Sequence, residues 1–67
     1  MKIYIDGMSC AHCQAHVKEA LSDLSGINTV NEVNLDGKYA AVEGTASHAA
    51  ITAAIEDAGY DVIRIED

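Results

Sequence analysis

The stretch Val33-Asn34-Leu35-Asp36-Gly37-Lys38-Tyr39-Ala40-Ala41-Val42 sits at the middle of the 67-residue chain, and its reading decides the fold. Asp-Gly between two alternating runs is a strong two-residue hairpin signal, because the tight turns that match strand twist need residues tolerant of positive φ. Val33 and Leu35 alternate before the turn, and Ala40 and Val42 after it. Two strands follow, predicted over Ile27–Leu35 and Lys38–Glu43. Val30 is out of phase with Val33 and Leu35, and a bulge near Asn31-Glu32 restores the phase.

Working outward, each side of the hairpin carries a helical pattern. Val17, Ala20, Leu21 and Leu24 fall at i, i+3, i+4 and i+7, which is one face of a helix. This predicts a helix from about Cys13 to Leu24, ended by Gly26 in a left-handed cap. Ile51, Ala54, Ile55 and Ala58 repeat the spacing on the other side, with Ser47 as N-cap and Gly59 as terminator. Gly44 to Ala46 reads as the turn before it. Outermost, Lys2–Asp6 alternates, with Ile3 and Ile5 on one face and Tyr4 on the other, and Tyr60–Ile65 supplies a fourth strand. The order is βαββαβ. Such a chain packs as an α+β, ferredoxin-like sandwich, a four-stranded antiparallel sheet with two helices on one face. Tracing the strand directions gathers the 7–12 loop, the Asp36-Gly37 turn and the Gly59-Tyr60 corner at one end, with His48 at the other.

Length sets the scale of what the molecule does. A chain of this size buries about 60% of the surface its unfolded form exposes, so residues 1–67 are expected to form one domain with an exposed site. Pro, Trp and Phe are absent and the aromatics are Tyr4, Tyr39 and Tyr60. The net charge is −7, unevenly spread: residues 1–33 carry four acids and two bases, residues 34–67 seven acids and two bases. Such a surface disfavours nucleic acid and anionic membranes. It suits simple solubility, or a partner with a basic docking surface. The opening Met1-Lys2 leads straight into a strand, without an apolar run of signal-peptide length, and no stretch approaches the ~20 apolar residues of a membrane span. A cytosolic protein is expected. There thiols stay reduced, and two closely spaced cysteines point to metal or redox chemistry more than to a structural disulfide.

Cys10-Ala11-His12-Cys13 is the constellation with evident chemical purpose. One cysteine in a loop and the next in the first turn of a helix brings two sulfurs within chelating distance. The positive end of the helix dipole favours the thiolate form at Cys13. Three readings stand side by side. A soft-metal site suits Cu(I), which accepts thiolates and, as a d¹⁰ ion, needs only two of them. A dithiol–disulfide redox centre of thioredoxin type is the second, although such domains need a longer chain and a larger sheet. Two cysteines without function are the third, disfavoured because exposed loop thiols are an oxidation liability. A structural zinc site wants four ligands, so Zn(II), like Cd(II) or Hg(II), is expected only as an in vitro ligand. Nothing in the chain assembles a nucleophile, a base and oxyanion donors, and no enzyme activity is expected.

Gly7-Met8-Ser9-Cys10-Ala11-His12-Cys13 resembles the GMxCxxC loop of heavy-metal-associated domains. The segment Ala54-Ile55-Glu56-Asp57-Ala58-Gly59-Tyr60-Asp61-Val62 resembles the ending these domains share, and the Ala20-Leu21…Leu24…Gly26 spacing between them also fits. The likeness runs the length of the chain. It implies the βαββαβ sandwich, Cys10 and Cys13 as metal ligands, and Met8 turned inward as the anchor of the loop. Tyr60 matches a position that, in bacterial members, sits against the metal loop, where its phenol restricts access or lends a hydrogen bond. A tyrosine merely packed at a helix–strand corner is the plainer alternative.

The family comprises bacterial copper chaperones and the N-terminal metal-binding domains of copper-transporting P-type ATPases. The resemblance therefore implies a metallochaperone that passes Cu(I) by ligand exchange to such an ATPase or to a copper-responsive regulator. The alternatives are a metal-binding domain of the ATPase itself and, from another class, a small thiol–disulfide oxidoreductase. Ag(I) is chemically equivalent to Cu(I) at such a site, and exposed dithiols permit a metal-bridged homodimer. His12, between the cysteines, and His16, one turn below Cys13, are candidate secondary groups, each more simply read as a solvated residue. His48 is expected at the surface, away from the site. Gln14 stands where the family commonly has an apolar residue, which predicts a more solvated helix start. The second strand is one residue longer than the family's usual pattern, which is the bulge inferred above.

Overall fold

Hydrophobic alternation and helical periodicity translate directly into elements. In the computed structural model, which describes residues 1–8 and 11–67, the chain runs β1 (Lys2–Asp6), α1 (Ala11–Asp23), β2 (Ile27–Asn34), β3 (Tyr39–Gly44), α2 (His48–Asp57) and β4 (Asp61–Glu66). The strands form one antiparallel sheet in the order β2-β3-β1-β4. This is the ferredoxin-like sandwich expected from the pattern.

The core lies between the sheet and the helices. Ile3 and Ile5 of β1, Val17 and Leu21 of α1, Val42 of β3, and Ile51 and Ile55 of α2 are fully buried. Each such side chain contributes about 1.5–3 kcal/mol of transfer free energy. The other face of the sheet is open to solvent. There the Tyr4 and Tyr39 rings lie 5.9 Å apart, with Lys2 Nζ 4.9 Å from the Tyr39 ring and the Arg64 guanidinium 4.4 Å from the Tyr4 ring. The Tyr4 hydroxyl donates to Glu66 at 3.3 Å and the Tyr39 hydroxyl to Glu32 at 3.1 Å.

The inferred bulge is present. Register passes from Val30↔Val42 to Glu32↔Ala41, leaving Asn31 as the extra residue, so that Val30 and Val33 both reach the inner face. Two further shifts were not legible in the pattern. One leaves Asn28 unmatched between Ile27↔Gly44 and Thr29↔Glu43. The other leaves Ile63 unmatched between Tyr4↔Arg64 and Ile5↔Val62, and Ile63 is 61% exposed.

Two expectations need correction. The first helix starts at Ala11, not near Cys13. The hairpin is not a two-residue turn: Asn34↔Tyr39 is its last pair, so Leu35 to Lys38 form a four-residue loop. Lys38, not Gly37, takes the positive φ, at 57°. Side chains account for the difference. The Gly37 N–H donates to Asn34 Oδ1 at 2.8 Å, and the Tyr39 ring occupies the space where a Cβ on Gly37 would come within 2.5 Å. Among the described residues no helix is long and apolar enough to cross a membrane.

Candidate metal centre

The candidate site forms where β1 gives way to α1. Gly7 follows β1 with φ +91°, a left-handed conformation that side chains with a Cβ resist. The chain then turns Met8 into the core, where it is 4% exposed. Cys10, with Ser9, lies outside the described residues. Cys13 sits in the first turn of α1, half-buried and packed against the core cluster. The N-terminus of α1, with its partial positive charge, lies at this turn.

Tyr60 reaches the same end by a different route. The α2 helix closes in a Schellman motif: the Tyr60 N–H donates to the Ile55 carbonyl at 3.2 Å and the Gly59 N–H to the Glu56 carbonyl at 3.0 Å. Gly59 takes φ +100° to allow it. The reversal packs Tyr60 against the core and puts its ring beside Gly7, where an added Cβ would lie 3.7 Å from Tyr60 Cδ1. The hairpin joins them, since the Ile5 N–H donates to the Lys38 carbonyl at 2.8 Å. Gly7 at the start of the loop, the hairpin and the Gly59-Tyr60 corner, all expected at one end, are therefore together.

The histidines diverge. His12 is exposed on the first turn of α1. His16 is also exposed and lines a shallow groove between the helices with Glu19, Ala20, Asp23 and Ala58. His48 bonds Asp67, Nε2 to Oδ1, at 3.0 Å. Asp67 follows Glu66, which pairs with Lys2 at the start of β1, so this contact is at the end remote from Gly7. Among the described residues no group of three or more His, Cys, Asp or Glu side chains is arranged to hold a metal.

Gln14 departs from expectation. It is half-buried, and its side-chain amide donates to the Val33 carbonyl of β2. It stands three residues before Val17 and seven before Leu21, at the top of the buried stripe of α1. That spacing was the available signal: a polar group on a core-facing stripe needs a partner to offset its desolvation.

A family model described as "Heavy-metal-associated domain" matches residues 2–61. A relative named "Copper chaperone CopZ" from Staphylococcus aureus (strain MRSA252) is 40% identical over 62 residues, spanning 88% of this chain and 90% of its own. Among solved structures, a "CopZ metallochaperone" superposes with a TM-score of 0.86 at 33% identity, covering 94% of this chain and 97% of that one. "A copper binding domain from HMA7, a P-type ATPase" does so with a TM-score of 0.86 at 28% identity, covering 96% and 92%.

Proposed function

Because the chain belongs to the heavy-metal-associated domain family, we propose that residues 1–67 act as one unit, a cytoplasmic metallochaperone whose cargo is Cu(I), held between the thiolates of Cys10 and Cys13. The observation that carries the reading is Cys13 in the first turn of α1, half-buried, with Met8 anchored in the core just before the loop. Two soft sulfurs suffice for a d¹⁰ ion that tolerates linear coordination, and Ag(I) would bind by the same logic. The likeness to a copper chaperone over nine-tenths of that protein's length supports the chaperone role.

Transfer proceeds by ligand exchange. A thiolate of the partner adds to the two-coordinate metal to give a three-coordinate copper. One donor sulfur then leaves, and the ion crosses without being released to water. The protein acts as a carrier and catalyses no covalent change in a substrate. A copper-transporting P-type ATPase suits the acceptor role, since an ATPase copper-binding domain shares this fold. A copper-responsive regulator with its own dithiol would serve equally. Tyr60 stands beside Gly7, where the loop begins, while His12 and His16 are exposed residues of α1.

Competition against a strong Cu(I) chelator under anaerobic, reducing conditions tests the site. The wild-type protein retains one Cu(I), and Cys10→Ser and Cys13→Ser lose tight binding with an unchanged circular dichroism spectrum. Unchanged affinity in both variants removes the assignment. Efficient insulin reduction, with no copper retained, would instead favour a thiol oxidoreductase.

A further inference from the structure

A polar side chain at the top of a buried helical stripe invites a functional explanation, and Gln14 is the residue next to Cys13. We infer that Gln14 is a positioning residue: its amide ties the first turn of α1 to β2 and thereby fixes the turn that carries the Cys13 sulfur. The inference rests on the metal reading above and adds a residue that acts through Cys13 without touching the ion.

Three observations carry it. First, β2 is an edge of the sheet, with β3 as its one neighbour, so half of its backbone groups have no ladder partner. The Val33 carbonyl takes its hydrogen bond from Gln14. Second, the bulge at Asn31 puts both Val30 and Val33 on the inner face, beneath α1. Third, α1 and β2 are separated by a surface groove lined by Ala11, Ala15, Lys18, Val30 and Glu32, and the Gln14–Val33 bond bridges it. Ala11 and Ala15 are too short to close that gap by packing. The first turn, where the helix lacks intrahelical partners for its leading N–H groups and frays most readily, is thus tied to β2 by this bond in addition to the packing of Cys13 against the core.

A positioning role differs from a purely structural one in where its loss is felt. Removing the donor loosens Ala11–Gln14, so the sulfur samples more positions and the chelate is less preorganised. A single hydrogen bond contributes about 0.5–1.5 kcal/mol net, which corresponds to a change of roughly 2- to 12-fold.

The test compares the wild type with Gln14→Met, which keeps the length and removes the donor, and with Gln14→Lys, which restores a donor of similar reach. Amide hydrogen exchange is read without metal at Ala15, His16 and Val17, whose N–H groups bond the carbonyls of the first turn. Cu(I) retention is read by chelator competition. In Gln14→Met, exchange at these amides accelerates and Cu(I) affinity weakens, each by about 2- to 12-fold, while exchange at Val42 in β3 is unchanged. Gln14→Lys recovers the amide protection. Wild-type behaviour of Gln14→Met in both readouts overturns the inference. So does a uniform acceleration across the sheet with Cu(I) affinity intact, which would make Gln14 a stability residue only. A wild-type protein that holds no Cu(I) sinks the metal reading instead, and the exchange measurement then decides the clamp on its own.

Discussion

Residues at the candidate site were legible to different depths. Met8 and Tyr60 were placed by the family resemblance, and each is also tied to a backbone signal, Met8 to the end of a strand and Tyr60 to a glycine that stops a helix. Gln14 was misread as solvated, since its partner is a backbone carbonyl 19 positions away that no local pattern announces. Gly59 shows how a residue without a side chain shapes the site. A Cβ there would meet nothing within 4 Å, so substitution exerts its cost through φ alone. Gly59→Ala should lower stability by about 1–2 kcal/mol, and Gly59→Asn by less, because asparagine tolerates the left-handed region. Urea titration of the two variants checks this; equal stability of Gly59→Ala and wild type would mean that the Schellman closure can rearrange at no cost.

At the scale of elements, the helices and the two inner strands follow from periodicity, because burial on one face imposes it. The Asn31 bulge was readable from Val30 and Val33, two apolar residues an odd number of positions apart that must share a face. The Ile63 bulge was not, since β4 is an edge strand with both Val62 and Ile63 apolar, and only pairing with β1 decides which turns outward. The hairpin misled for a related reason. Asp-Gly specifies a tight turn only when nothing else competes, and here the Asn34 side chain and the Tyr39 ring both act on Gly37. Packing of α1 rests on Val17 and Leu21. Leu21→Ala should cost about 2–5 kcal/mol, a large share of what a chain this short commands. Thermal unfolding followed by circular dichroism measures it, and a loss under 1 kcal/mol would show that the neighbouring side chains collapse into the space.

For the whole molecule, charge is the property the fold does least to disguise. Among the described residues Arg64 and Glu66 form a side-chain ion pair and His48 hydrogen-bonds Asp67, with both partners of each contact substantially exposed. Neither offsets much of the net −7. Self-repulsion then opposes folding, and salt relieves it. The melting temperature should rise by a few degrees between about 10 and 200 mM NaCl, where the Debye length falls from about 30 Å to below 10 Å. A melting temperature that falls with NaCl would mean that attractive pairs, not repulsion, dominate the surface.

The open face of the sheet has a consequence for how metal loading can be watched. With no tryptophan in the chain, ultraviolet emission comes from three phenols. Two of them, Tyr4 and Tyr39, are neighbours on the side of the sheet away from the helices. The third, Tyr60, stands at the foot of the loop. If metal loads as proposed, the arriving ion would dim one phenol of the three and leave the remote pair alight, so that loading reads as a partial loss of emission.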